Sequence, residues 1–289
     1  MDVNGDGNID ILSGSYSRQD QDMAGLFQVL YGDTRGKFQK PVALGGSDGM
    51  PLILPAGKGQ DDPPVIDRIC TRPFACDLDG DGKLDIVSGN FRGTFGFFKG
   101  EGGGKFGPNA TWLEAAGTPM AVESHSDPFL VDWDKDGDLD LLSGSEAGGV
   151  YLFVNGGSRT APKFGPRVSL LEPAGHGGGE VRFGDAHCVA PAGCTRVWAA
   201  DIDGNGKLDL LVGDSITLYF AAEGVDEATA RAKDAEWTKR QEALQRAYLR
   251  GDDAEARRKW DDDSSKLWKE REAFLREEMT GFVWLLCQK

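Results

Sequence analysis

With 289 residues the chain can bury one sizeable repeat core and an appended element. Its 47 Asp and Glu outnumber 32 Lys and Arg, a net charge of −15, and no basic patch stands out, which argues against nucleic acid as a partner. No stretch is long and apolar enough for a membrane span, and no secretory signal is visible.

The first predicted element is a loop. From Asp2 the chain reads DVNGDGNIDILSG, and the design returns at Asp77 (DLDGDGKLDIVSG), Asp132 (DWDKDGDLDLLSG) and Asp201 (DIDGNGKLDLLVG). Each copy has oxygen side chains at loop positions 1, 3, 5 and 9 and Gly at position 6, then an alternating apolar run. That is a cation loop feeding a β-strand: alternate residues of a tight loop converge their carboxylates, position 7 offers its carbonyl, and Gly permits the sharp turn. The expected ligands of the first loop are Asp2, Asn4, Asp6, the Asn8 carbonyl and Asp10. Those of the second are Asp77, Asp79, Asp81, the Lys83 carbonyl and Asp85. The third offers Asp132, Asp134, Asp136, the Asp138 carbonyl and Asp140, and the fourth Asp201, Asp203, Asn205, the Lys207 carbonyl and Asp209. Asn in the first and last loops drops a charge, so those sites should bind more weakly. An EF-hand needs Glu at position 12, where this chain has Ser13, Ser88, Ser143 and Val212.

Agreement extends beyond the loops. Residues 70–76, 125–131 and 194–200 read as short strands leading into the second, third and fourth loops. Residues 25–32, 94–100 and 149–156 read as strands after them, and Lys37-Phe38, Lys105-Phe106 and Lys163-Phe164 each open a last extended segment. One unit is therefore strand, loop, strand, turn, strand, turn, strand, the make-up of a four-stranded antiparallel propeller blade. The fold class is all-β, four such repeats over residues 1–222.

On these motifs the chain resembles the FG-GAP/VCBS repeat family, the seven-bladed propellers of integrin α-subunit heads and many bacterial surface proteins. The resemblance covers residues 1 to about 222 and the C-terminal strand. It implies that each loop joins the first and second strands of a blade and holds a structural Ca²⁺, up to four in all. The chain departs from the family in showing four loops, in beginning at a loop and in an interrupted last blade. Loop intervals are 75, 55 and 69 residues, the excess lying in Gly- and Pro-rich connectors. A partial propeller is expected; the alternative is a complete small propeller closed by exchanged strands.

Composition changes after Ala222. Residues 223–280 lack Pro and are dense in Ala, Glu, Lys and Arg, which predicts helices over about 226–250 and 254–279, broken by Gly251-Asp252-Asp253. Trp237, Leu244 and Tyr248 on one helix and Trp260, Leu267, Phe274 and Leu275 on the other suggest a self-packed helical hairpin, with a partner-docking arm as the alternative reading. Residues 281–289 then return to a blade strand, so the hairpin reads as an insertion in the last blade.

The loops supply 14 candidate carboxylates, and four Ca²⁺ would bring the net charge to about −7, so metal demand explains much of the acidity. Weak oxygen-cage sites fill where Ca²⁺ is near millimolar, which points to a secreted, cell-surface or periplasmic protein. Nucleophile, zincin and phosphate-loop motifs are missing, and His176 and His187 read as connector residues. Cys70, His125 and Cys194 share one repeat position, as do Arg72, Asp127 and Arg196; the first trio could form a metal or redox site and the second an ion-pair ring. Cys188 and Cys194 could close a loop disulfide. The expected function is a non-catalytic scaffold for an unidentified protein or carbohydrate ligand. The alternatives are a calcium-dependent polysaccharide-active enzyme and an assembly protein that docks through its helical arm.

Overall fold

The computed structural model describes residues 1–17, 24–56, 64–173, 183–186, 188–248 and 254–289. His176, His187 and the predicted break at 251–253 lie outside the described residues. The chain forms two compact units. One comprises Met1–His176, Ala190–Asp214 and Phe282–Lys289; the other comprises Gly177–Val189 and Ser215–Gly281. Among the described residues no helix is long and apolar enough to cross a membrane.

The first unit is a row of four antiparallel sheets, arranged as propeller blades. Blade 1 contains Ile11–Gly14, Phe27–Leu30 and Val42–Ala43. Blade 2 contains Arg72–Cys76, Asp85–Gly89, Phe95–Phe98 and Thr111–Trp112; blade 3 contains Asp127–Val131, Asp140–Gly144, Val150–Phe153 and Val168–Leu171. Blade 4 uses Gly193–Ala200, the first half of the strand Asp209–Ala221, and Val283–Leu286. The loop aspartates stand between the first and second strands of blades 2, 3 and 4, as the repeat predicts. Register is the same throughout: Gly14, Gly89, Gly144 and Gly213 face Phe27, Phe95, Val150 and Val283 across the ladder.

Strand alternation gives each blade two apolar faces, and the row buries them in three clusters. Phe27, Val29, Ile86 and Phe98 join blades 1 and 2. Val87, Phe95, Leu141 and Phe153 join blades 2 and 3, and Leu142, Val150, Leu210 and Val212 join blades 3 and 4. A repeated polar stitch runs beside each cluster. The hydroxyls of Thr71, Ser126 and Thr195 accept the backbone N–H of Ser15, Asn90 and Ser145 in the preceding blade at 2.9, 3.0 and 2.9 Å. The N–H groups of the same three residues donate back to those residues' carbonyls. Approach is so close that a Cβ on Gly14, Gly89 or Gly144 would stand 1.8, 1.9 or 2.1 Å from the next blade's Thr71, Ser126 or Thr195 carbonyl oxygen. These strand positions require Gly for lack of space, not for their dihedral angles.

The residue before each stitch has a left-handed backbone: Cys70 at φ 56°, His125 at 50° and Cys194 at 51°. Non-Gly residues seldom adopt that conformation. Here the turn lets Cys70, His125 and Cys194 donate their N–H to Tyr16, Phe91 and Glu146 of the blade before. Their shared repeat position is therefore a backbone device.

In the second unit, α1 (Glu227–Tyr248) starts at Asp226, whose side chain accepts the Thr229 N–H at 2.9 Å as an N-cap. It packs against α2 (Ala254–Glu272), with Trp237 Nε1 donating to the Leu267 carbonyl at 2.7 Å. Arg271 is buried between Asp234, 2.8 Å away, Glu277 and the Trp237 ring, 4.3 Å from its centroid. The second helix was expected to reach about residue 279; it ends at Glu272. Leu275–Thr280 instead forms a strand whose six residues pair with Ile216–Ala221. That ladder satisfies backbone groups on both strands, a nonlocal gain that overrides local helix preference.

Candidate metal centres

Each loop is built by its own aspartates before any cation is considered. The position 1 carboxylates fold the turn: Asp2 accepts the N–H of Gly5 and Gly7, and Asp77, Asp132 and Asp201 accept those of Gly82, Gly137 and Gly206. The position 9 residues Asp10, Asp85, Asp140 and Asp209 are at most 3 % exposed. One oxygen of each accepts the N–H of loop position 2: Val3, Leu78, Trp133 and Ile202, at 2.8 to 3.0 Å. The other accepts the N–H just beyond the third strand or next to it, from Gly32, Gly100, Asn155 and Gln288. Position 9 thus staples the loop to its own sheet, and each carboxylate oxygen keeps a lone pair for a further partner.

The remaining carboxylates crowd together. One oxygen from each of Asp77, Asp79 and Asp85 lies within 4.8 Å of the others, and the same holds for Asp132, Asp134 and Asp136. Several oxygens in these two loops are buried with no hydrogen-bond partner: Asp77 Oδ1, Asp79 Oδ1, Asp132 Oδ1 and Asp138 Oδ1. Asp77, Asp132 and Asp138 line, with Arg159, one cavity of about 250 Å³ between the second and third loops. A buried carboxylate oxygen without a partner is costly, so these atoms fit a hard cation that takes oxygen ligands.

Electrostatics differ from loop to loop. Burial holds Asp85 and Asp140 above the usual carboxylate range despite their N–H partners. Burial, then repulsion from Asp136, Asp140, Asp134 and Asp132, raises Asp138. In the second loop Lys99 reaches Asp79 and lies 3.0 Å from Asp81, lowering Asp81, while Arg159 is 3.3 Å from Asp77. The second loop therefore carries internal countercharge. The third loop has the denser negative charge.

The first loop, with Asn4 and Asn8, forms no group of three acidic ligands among the described residues. In the fourth, Asp203 and Asp209 gather with Cys287, while Asn205 donates to Asp203 at 3.1 Å. Sequence reasoning missed three participants. The loop pattern expects only the carbonyl of Asp138, yet its side chain turns inward. Lys99 and Cys287 follow the third strands of blades 2 and 4 at the same register position, one residue past Phe98 and Leu286, and so overlook their loops. That signal emerges only when the third strands are aligned.

The shared Cys and His positions do not make a site. Cys70, His125 and Cys194 form no metal-ligand group among the described residues. His125 Nδ1 lies 3.0 Å from Glu146 Oε2. Arg196 pairs with Asp127 at 3.4 Å, but Arg72 donates to the His125 carbonyl at 2.8 Å, so the expected ion-pair ring is only partly made. No disulfide joins Cys188 to Cys194, and Cys70, Cys76 and Cys287 are free thiols.

A comparison with curated proteins finds no match to the chain. Residues 132–212, from the third loop through the fourth loop and into the strand after it, match the FG-GAP-like repeat family, and the arrangement of four blades is consistent with a partial propeller of such repeats.

Proposed function

We propose that the chain is a calcium-stabilised, non-catalytic interaction scaffold that works where Ca²⁺ is abundant, outside the cytoplasm. The observation that carries this reading is the set of buried, unpartnered oxygens on Asp77, Asp79, Asp132 and Asp138. Asp77, Asp79, Asp81 and Asp85 with the Lys83 carbonyl would hold one ion; Asp132, Asp134, Asp136 and Asp140 with the Asp138 carbonyl would hold another. The first and fourth loops would hold ions through Asp2, Asn4, Asp6, the Asn8 carbonyl and Asp10, and through Asp201, Asp203, Asn205, the Lys207 carbonyl and Asp209. Bound Ca²⁺ supplies charge neutralisation, and the residues do the rest by fixing the loop between two strands. The propeller fold supports an interaction scaffold, with a protein or carbohydrate as ligand of the exposed turns.

Calorimetric titration of the EDTA-treated chain with Ca²⁺ and with Mg²⁺ tests it. Saturable Ca²⁺ binding should raise the melting temperature, because a site at a hundredfold excess over Kd adds about 2.7 kcal/mol. Asp79→Ala should remove part of the rise. A melting temperature indifferent to EDTA and Ca²⁺ refutes the calcium reading.

A further inference from the structure

The three junctions within the row are one interface used three times. Each blade shows one face to the blade before and the other to the blade after, so every junction joins unlike faces. Phe27, Phe95 and Val150, equivalent in register, are each 0 % exposed against the following blade, whereas Val283 at the same place in blade 4 is 76 % exposed. Two residues on, Val29 and Leu152 are 1 % and 4 % exposed, and Leu285 is 48 %. A ring ladder runs along the first strands, Phe74 to Phe129 at 5.2 Å and Phe129 to Trp198 at 5.0 Å, and ends on Trp198, 58 % exposed.

The opposite end shows the complementary half. Ile86, Leu141 and Leu210 face the preceding blade at 0, 0 and 6 % exposure, whereas their equivalent Ile11 is 42 % exposed. Gly213 adds a second sign. It keeps the residue that close approach demands at Gly14, Gly89 and Gly144, although the nearest atom to a Cβ there is Arg196 Cβ at 3.8 Å. The row therefore ends in two unlike half-interfaces, each in register with the junctions already formed.

We propose that a second copy of this chain covers them head to tail. The blade 4 face carrying Val283, Leu285 and Trp198 seats on the blade 1 face carrying Ile11 of the other copy. One chain carries both halves, and the chemistry is already in use: Val150 and Leu152 of blade 3 pack with Leu210 of blade 4. Such a contact is heterologous, joining different patches on the two partners.

Mass measured by sedimentation across a concentration series, on the full chain in Ca²⁺, tests the proposal. The wild type should exceed the monomer mass as concentration rises. Ile11→Asp and Val283→Asp should each stay monomeric while melting as the wild type does, since both positions are exposed. Mixing the two variants should restore a 1:1 pair, because Ile11→Asp keeps its blade 4 face and Val283→Asp keeps its blade 1 face. A wild type that remains monomeric overturns the proposal and leaves these faces to blades of another chain. Association that survives both substitutions, or a mixture that stays monomeric, overturns it as well.

Discussion

Adding one methyl group at Gly89 should cost the row far more than adding one at Gly213. The new Cβ at Gly89 would stand 1.9 Å from the Ser126 carbonyl oxygen and 2.5 Å from its carbon. Even a favourable C–H···O contact needs about 3.3 Å, so blades 2 and 3 must part by about 1.4 Å at the stitch. Three backbone N–H groups bond across that seam beside Gly89: Asn90 N–H to Ser126 Oγ at 3.0 Å, Ser126 N–H to the Asn90 carbonyl at 3.2 Å and His125 N–H to the Phe91 carbonyl at 3.0 Å. At about 1 kcal/mol net for each bond, Gly89→Ala should lose about 3 kcal/mol. For a unit of this size that is a fall of about 6–12 °C in melting temperature. Gly213→Ala meets only an ordinary contact at 3.8 Å, and restricting the unfolded chain should leave it neutral or better by about 0.4–1 kcal/mol. Scanning calorimetry of both variants in excess Ca²⁺, at a concentration where the wild type is monomeric, reads the difference. A Gly89→Ala protein that melts like the wild type, or a Gly213→Ala protein that falls as far, would refute the close-approach account.

Two further outcomes follow from the electrostatics. Asp85, Asp138 and Asp140 are held above the usual carboxylate range, so the folded, metal-free chain binds protons more tightly than the unfolded chain. In EDTA these three carboxyls should therefore add stability as pH falls from 7 toward their raised values, opposed by Asp6, Asp81 and Asp209, which are held low, while protons competing for the ligands erode the stabilisation by Ca²⁺. Melting curves from pH 7 to pH 5 should show the gap between the Ca²⁺ and EDTA samples narrowing; a widening gap contradicts the assignment. In the helical unit, Asp234→Ala strips the buried Arg271 of one carboxylate while Glu277 remains. A loss of about 3 kcal/mol, the lower end for breaking a buried pair, should appear as an earlier helical melt by circular dichroism. No change in that melt would show that Glu277 alone satisfies the guanidinium.

Much of the blade plan was legible because it is written several times. The Asp-rich loop and the alternating run after it are local patterns, and local patterns survive translation into structure; the Lys-Phe pairs do not open the outer strands, since Lys105–Phe106 forms a hairpin with Gly100–Gly102 and Phe38 and Phe164 make isolated bridges. Less visible were features set by partners distant in sequence. Lys99 and Cys287 reach their loops through the third-strand register, and Asp138 buries its side chain at a loop position whose expected contribution is a carbonyl. Cys70, His125 and Cys194 were visible as a repeat position, but a left-handed turn at three non-Gly residues has no local signature. The end of α2 at Glu272 has no local signature for the same reason: the competing strand lies more than fifty residues upstream.

The stitch also explains how repeats of unequal length make equal blades. From Thr71 to Gly89, from Ser126 to Gly144 and from Thr195 to Gly213 the count is 18 residues each time. From each Gly to the next hydroxyl it is 57, 37 and 51, which carries all the variation in repeat length. The chain thus keeps a fixed clasp of strand, loop and strand, and leaves the outer connectors free to lengthen without altering how one blade meets the next. New segments belong in those connectors, and the clasp is the part that a redesigned blade must copy residue for residue.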